Sequence, residues 1–239
     1  MGCGSSGPTA DDLQAQSKFL NATIENETYI EPSSAREKRT LVMKKAALKS
    51  ATDTHVVKDG DAEILKIVPI QGRKRLYWKD THVATVVLGA RDSEVQGVDS
   101  TMNLPHMYVY TFKSVLDGQK ASDYQEDDKS LYYWARVVKN GTSTFEVSKA
   151  DQMPAADSKE NIDLFTFPRY VVKKKMVGKD TLYEMKLKVG DKTSGCALGF
   201  LIEDQEEVRI SMVKNADPIL LVAVVICMEA LQNLAAGAR

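Results

Sequence analysis

The chain of 239 residues carries 32 Lys and Arg against 33 Asp and Glu, a formal net charge of -1. This balance argues against a nucleic-acid partner, because nucleic-acid-binding domains carry an excess of cations. Hydrophobic residues make up 43% of the chain, which supports one large domain or two small ones. Three cysteines, odd in number and widely spaced, indicate a reducing compartment without a disulfide framework.

The N-terminus matches the pattern for N-myristoylation, with Gly2 as the acceptor and Ser6 at the favoured hydroxyl position. Cys3 stands beside the acceptor, where a palmitoyl chain would make a weak myristoyl anchor stable. The sequence therefore predicts attachment to the cytoplasmic face of a membrane, most simply the plasma membrane. The alternative is a start of chain whose Gly and Ser residues match the pattern by chance.

The composition divides the chain into a tail, residues 1–35, and a folded domain, residues 36–239. Small polar residues dominate the tail, which is predicted to be a flexible tether. No secretory hydrophobic segment follows Met1.

Short β-rich runs alternate with turn residues over most of the folded domain, as in an antiparallel meander. Asn140-Gly141 stands between two such runs and predicts a type I′ hairpin. Residues 91–105 and 151–161 are predicted loops. The predicted strands are 41–43, 54–58, 64–70, 76–78, 82–88, 107–112, 131–139, 142–147, 170–176, 182–189, 196–202 and 208–213.

The last predicted element is a helix over about 217–234 that is apolar on all sides. Asp217 can cap it, and Pro218 suits its first turn. Every residue of Ile219–Met228 is apolar, so the helix must be buried all round. The apolar run ends at Glu229, short of the roughly 20 residues that a membrane span needs. A tail anchor and a buried strand remain alternatives.

The predicted strands and helix combine into a closed β-barrel of about twelve antiparallel strands around a central hydrophobic C-terminal helix. Closure removes the exposed edges of the sheet. A barrel of this strand number has a lumen that must be filled, and a helix about 10 Å across can fill it.

The chain resembles the tubby C-terminal-like superfamily, which includes tubby proteins, phospholipid scramblases and LURP-one-related proteins, and it is most similar to the last of these. The resemblance extends over about residues 36–234. It implies a twelve-stranded barrel around a hydrophobic helix and, as in some members, an association with membrane lipid. The segments that carry it are Lys44–Val57, Asp59-Gly60, Arg73–Asp80 and the ending Val208–Pro218 with the apolar helix after it.

The chain departs from the scramblase branch of this superfamily. Scramblases carry a cysteine-rich acylated segment and an acidic calcium-binding segment, whereas here Cys3 is the one plausible acyl cysteine. The acidic stretches 123–128 and 203–207 lack the oxygen-and-glycine spacing of an EF-hand loop and are predicted to be solvated turns.

Basic clusters are the candidate binding elements, because a phosphoinositide headgroup needs several converging cations. In a strand, Lys173 and Lys175 share one face and Lys174 takes the other. The alternative interpretation is a solvated charged surface. The predicted headgroup-binding residues are Lys44, Lys45, Arg73, Lys74, Arg75, Arg169, Lys173 and Lys175.

No catalytic or metal-binding pattern is present in the sequence. His55, His82 and His106 lack metal-ligand spacing, and no phosphate loop, nucleophile elbow or Cys/His signature occurs. We therefore expect a non-enzymatic protein without a cofactor that binds anionic phospholipid or phosphoinositide. The alternatives are a scramblase-like lipid transporter and a cytosolic barrel that binds a protein partner.

Overall fold

A computed structural model describes ten segments of the chain. The predicted tail, the acidic stretch 123–128, Arg169 and the predicted loops apart from Pro105 lie outside them. The described residues are 39–70, 72–78, 80–87, 105–112, 131–149, 170–177, 180–189, 192–203, 206–212 and 216–237.

Twelve strands and two helices form within these segments. The helices are α1 (Ala46–Lys49) and α2 (Pro218–Gly237). The strands are β1 (Arg39–Lys44), β2 (His55–Asp59), β3 (Ala62–Ile70), β4 (Arg73–Trp78), β5 (Thr81–Val87), β6 (His106–Phe112), β7 (Leu131–Lys139), β8 (Thr144–Lys149), β9 (Tyr170–Val177), β10 (Asp180–Val189), β11 (Lys192–Glu203) and β12 (Glu207–Met212).

The strands pair in the order β1-β12-β11-β10-β9-β8-β7-β6-β5-β4-β3-β2, and each pairing is antiparallel. Strand β1 also pairs with β2, where Leu41 lies opposite Asp59. The structure therefore confirms the predicted mainly β fold, with one large antiparallel sheet and a C-terminal helix.

The pairings give the sheet two distinct ends. Because neighbours are antiparallel, all odd-numbered strands run in one direction and all even-numbered strands in the other. We call the end where odd-numbered strands finish and even-numbered strands begin the exit end. The C-terminal half of α2 lies there, since Gln232 Nε2 donates to the Tyr183 hydroxyl of β10 at 2.7 Å. Glu229 also lies 3.7 Å from Lys49 Nζ of α1.

Helix α2 begins and packs as the sequence predicts. The Asp217 carboxylate accepts hydrogen bonds from the backbone N–H groups of Ile219 at 2.9 Å and Leu220 at 3.3 Å, which caps the helix. Each side chain of Ile219–Met228 is at most 6% exposed. Among the described residues, no helix has the length and apolar character needed to cross a membrane.

Residues on alternate positions of the strands form the core around α2, which lies against β5, β6, β7, β12 and α1. Trp78 and Trp134 are buried at 5% and 0% exposure. The turns after β2 and β3 use Gly60 and Gly72 at φ of 59° and 78°, a conformation that glycine adopts without a steric penalty.

The predicted hairpin at Asn140-Gly141 is confirmed by the pairing of β7 with β8, but its predicted type I′ turn is wrong. Such a turn needs positive φ at both residues, but Gly141 alone has it, at 83°. The N–H of Asn140 donates instead to the Thr144 carbonyl at 2.9 Å, and this hydrogen bond closes a loop of residues 141–143. The sequence also failed to predict the four-residue helix α1.

Candidate functional site

The predicted basic residues lie on three separate parts of the sheet. Strand β4 is three pairings from β1, and β9 is four pairings from β1 on the other side. Neighbouring strands are about 4.8 Å apart, so the three groups do not converge on one small headgroup. Arg169 lies outside the described residues.

The first group lies at the exit end, where β1 leads into α1. Lys44 is exposed and stands opposite Glu207 in register. Lys45 is half-buried, and its N–H donates to the Glu206 carbonyl at 2.7 Å. The side chain of Lys49, which the sequence did not single out, is 60% exposed. This group therefore presents two solvent-accessible ammonium groups.

The second group lies at the start of β4 and divides between two faces. Arg73 and Arg75 are half-buried on the outer face, whereas Lys74 shares the inner face with Leu76 and Trp78. Lys74 is 1% exposed. Its prediction as a headgroup-binding residue is wrong, because a buried ammonium group cannot reach a ligand in solvent.

The Lys74 ammonium group ties α1 to the sheet. It donates to the carbonyl oxygens of Ala47 at 2.5 Å and Leu48 at 2.7 Å, which lie in the last turn of α1. Burial lowers the pKa of Lys74 to about 8, and the attraction of Glu229 on α2 acts in the opposite direction. Lys74, α1 and α2 therefore form one polar cluster at the exit end.

The third group lies on the outer face of β9 and β10. Lys173 and Lys175 are exposed, whereas Lys174 is half-buried on the other face, with its ammonium nitrogen 5.9 Å from the centroid of the Tyr183 ring. This arrangement follows the predicted alternation. Lys173 and Lys175 point outward from the same strand.

One carboxylate lies among the lysines on the outer face of β9 and β10. Glu184 lies opposite Lys173 in register, and its oxygens are 2.6 Å from Lys175 Nζ and 3.2 Å from Lys186 Nζ. Burial alone would raise the pKa of Glu184, but hydrogen bonds from the two lysines outweigh it and hold that pKa below its usual range. One ionised carboxylate thus stands among three lysines, and a net positive charge remains.

Lys186 belongs to this face but was missed by the sequence analysis. It stands on β10 two residues from Glu184, so the two side chains share a face. The predicted strands 170–176 and 182–189 contained the signal, because Lys186 and Glu184 are two residues apart in the second. The register needed to use it comes from the pairing of Lys186 with Val171.

Charged positions of both signs lie at the two ends of the sheet. The end opposite the exit end carries half-buried Asp59, exposed Asp61, Glu63 and Asp80, and the basic positions Arg39, Lys58, Lys188 and Lys192. At the exit end, the described acidic positions are Asp53, Asp180, Glu203, Glu206 and Glu207, apart from buried Glu229, and six basic positions lie with them. Those basic positions are Lys44, Lys45, Lys49, Arg73, Lys139 and Lys175.

Two large hydrophobic side chains are exposed within the described part of the chain. Met176 on β9 is 64% exposed, and Leu234 on α2 is 49% exposed. Exposed hydrophobic side chains indicate an interaction site when they cluster on one surface within a rim of polar or charged residues.

The described residues contain no group of three or more His, Cys, Asp and Glu side chains suited to holding a metal ion. Cys227 is buried on α2, and burial raises the pKa of its thiol. Such a thiol is a packing group rather than a nucleophile.

Comparisons of this chain with protein-family models, with curated proteins and with solved structures found no match.

Proposed function

We propose that this protein is a non-enzymatic β-barrel, closed around α2, that binds anionic phospholipid at the cytoplasmic face of a membrane. The observation that carries the proposal is the basic outer face of β9 and β10, where Lys173, Lys175 and Lys186 surround the single carboxylate of Glu184. The exposed lysines Lys44 and Lys49 lie at the adjoining exit end. Phosphoinositides are included among the ligands because their headgroups concentrate negative charge.

The proposed barrel is supported by two features of the fold. The β1–β2 pairing joins the two ends of the strand order, and the apolar part of α2 is buried on all its sides. The likeness of the sequence to tubby-like and LURP-one-related proteins points to the same architecture.

The separation of the basic groups favours an extended anionic surface over a single headgroup pocket. Each lysine near an anionic membrane contributes about 1 kcal/mol. Several lysines spread over one end of the protein can therefore act together without converging. Their attraction is weakened by salt, because the Debye length falls to about 8 Å at physiological ionic strength.

The N-terminus supports a second part of the proposal, which is attachment to the membrane through acyl chains. A myristoyl chain on Gly2 alone would bind a membrane weakly, and a palmitoyl chain on Cys3 or a basic surface would stabilise the attachment. We expect the N-terminal peptide of the protein from eukaryotic cells to carry the mass of a myristoyl group. An unmodified N-terminus would contradict this part of the proposal.

Charge reversal at matched positions tests the lipid-binding surface. Lys44→Glu changes an exposed lysine at the exit end, and Lys58→Glu changes an exposed lysine at the opposite end by the same charge. We expect Lys44→Glu to weaken binding to vesicles of phosphatidylcholine and phosphatidylserine by about 2 kcal/mol, roughly thirtyfold.

Co-sedimentation of the unacylated full chain with these vesicles measures the effect. Lys58→Glu should bind much more tightly than Lys44→Glu. Equal losses in the two variants would show that the exit end has no special part in binding.

The transporter alternative is not favoured by the packing of α2. It requires this helix to leave the sheet and enter lipid, although side chains such as Val222 and Ile226 are at most 1% exposed in the core.

A further inference from the structure

We infer that the protein docks on the membrane end-on, with the exit end against the lipid and Met176 and Leu234 inserted among the headgroups. This orientation rests on the proposed function, since it requires a lipid-binding protein. It adds a defined contact surface and a direction: the axis of α2 stands across the membrane plane rather than along it.

Strand pairing brings the two exposed hydrophobic residues to the same end. Lys174 on β9 pairs with Tyr183 on β10, and Met176 lies two residues nearer the hairpin turn. The Tyr183 hydroxyl in turn accepts a hydrogen bond from Gln232 on α2, two residues before Leu234. Met176 and Leu234 therefore both extend beyond this hydrogen bond toward the exit end.

The combination of exposed apolar and cationic side chains at this end favours a lipid surface as the partner. Met176 is 64% exposed, and the neighbouring Lys175 side chain is 52% exposed. A flexible apolar side chain beside long cationic ones is suited to the membrane interface. There the apolar group enters the acyl boundary and the ammonium groups meet phosphate.

Two carboxylates at the opposite end favour the same direction. Asp61 and Glu63 are exposed there and would be repelled by an anionic bilayer, whereas Asp80 is ion-paired with Lys66 and exposed Lys58 lies at the same end. Docking through the exit end keeps these carboxylates farthest from the lipid, about the 30 Å length of a 20-residue helix away.

The position of the N-terminal tail is compatible with this orientation. Strand β1 begins at the end opposite the exit end, after 38 preceding residues. A chain of that length can span at most roughly 125 Å. An acyl group on Gly2 can therefore reach the same membrane that the exit end contacts.

Tryptophan quenching by brominated phospholipid tests the inserted position. Met176→Trp places an indole at the proposed contact. Ala62→Trp places one at an exposed position of the opposite end without changing the charge. The native Trp78 and Trp134 are buried in both variants and provide the common background. The full chain is mixed with vesicles of phosphatidylcholine and phosphatidylserine, brominated or not.

We expect added quenching in Met176→Trp and none above the background in Ala62→Trp. A second variant, Met176→Ala, should weaken vesicle binding by up to about tenfold through lost apolar burial. Binding without added quenching at position 176 would overturn the end-on orientation and leave the proposed function intact. Absence of binding by the parent chain would overturn both.

Discussion

Side chains that are neighbours in sequence have different roles at the exit end, and these roles cannot be read from sequence position alone. Arg73, Lys74 and Arg75 are consecutive basic residues, yet the middle one points into the core and holds the last carbonyls of α1. Strand alternation could have predicted its inward direction from Leu76 and Trp78. Its partners could not be predicted, because they belong to a short helix without a side-chain cap.

Lys74 should give the stability of the protein a specific pH dependence. Its pKa is about 8 in the fold, lowered from 10.5 mainly by burial. Between these values the unfolded chain binds more protons than the folded chain, so this lysine makes the free energy of unfolding rise with pH. Lys74→Met should lose this increase, measured by urea unfolding from pH 7 to 10.

A matched variant separates this effect from the general loss of a lysine. Lys58→Met removes an exposed lysine of β2 and should keep the pH profile of the parent. Parallel profiles for the parent and Lys74→Met would contradict the assignment of Lys74 as a buried amine with a lowered pKa.

At the scale of elements, helix α2 is the part that the sequence predicted best. Its Asp217 cap, its Pro218 start and its all-round burial follow from local chemistry and from an apolar run with no polar face. The loop after β7 was predicted less well, because Asn140-Gly141 permits more than one turn and the strand register decides among them. Helix α1 has four residues, too few for the spacing of hydrophobic residues to predict a helix.

The packing of α2 makes a prediction about stability. Ile226 is 1% exposed within the core, so Ile226→Ala removes buried methyl groups and leaves a cavity. We expect the free energy of unfolding to fall by about 2–5 kcal/mol. Urea unfolding followed by circular dichroism measures the change.

Leu234→Ala provides the matched control on the same helix. Leu234 is 49% exposed, and a surface substitution of this kind should change stability by about 0.5 kcal/mol or less. Equal losses for the two variants would contradict the position of Ile226 inside a packed core.

At the scale of the whole molecule, the antiparallel topology brings basic residues that are far apart in sequence to the same end of the sheet. Lys44 ends an odd-numbered strand, Arg73 begins an even-numbered one and Lys175 lies near the finish of β9, so all three lie toward the exit end. The net charge of -1 does not reveal this grouping of basic residues. These three residues could be identified as candidates from the sequence, but only the order of strand pairing could place them all at the exit end.

Lipid binding itself is most directly tested by co-sedimentation of the unacylated full chain with vesicles of two compositions. We predict binding to phosphatidylcholine vesicles that contain phosphatidylserine, little binding to phosphatidylcholine alone, and loss of binding as salt rises. Equal sedimentation with both compositions, or none with either, would contradict the claim that this protein binds an anionic membrane surface.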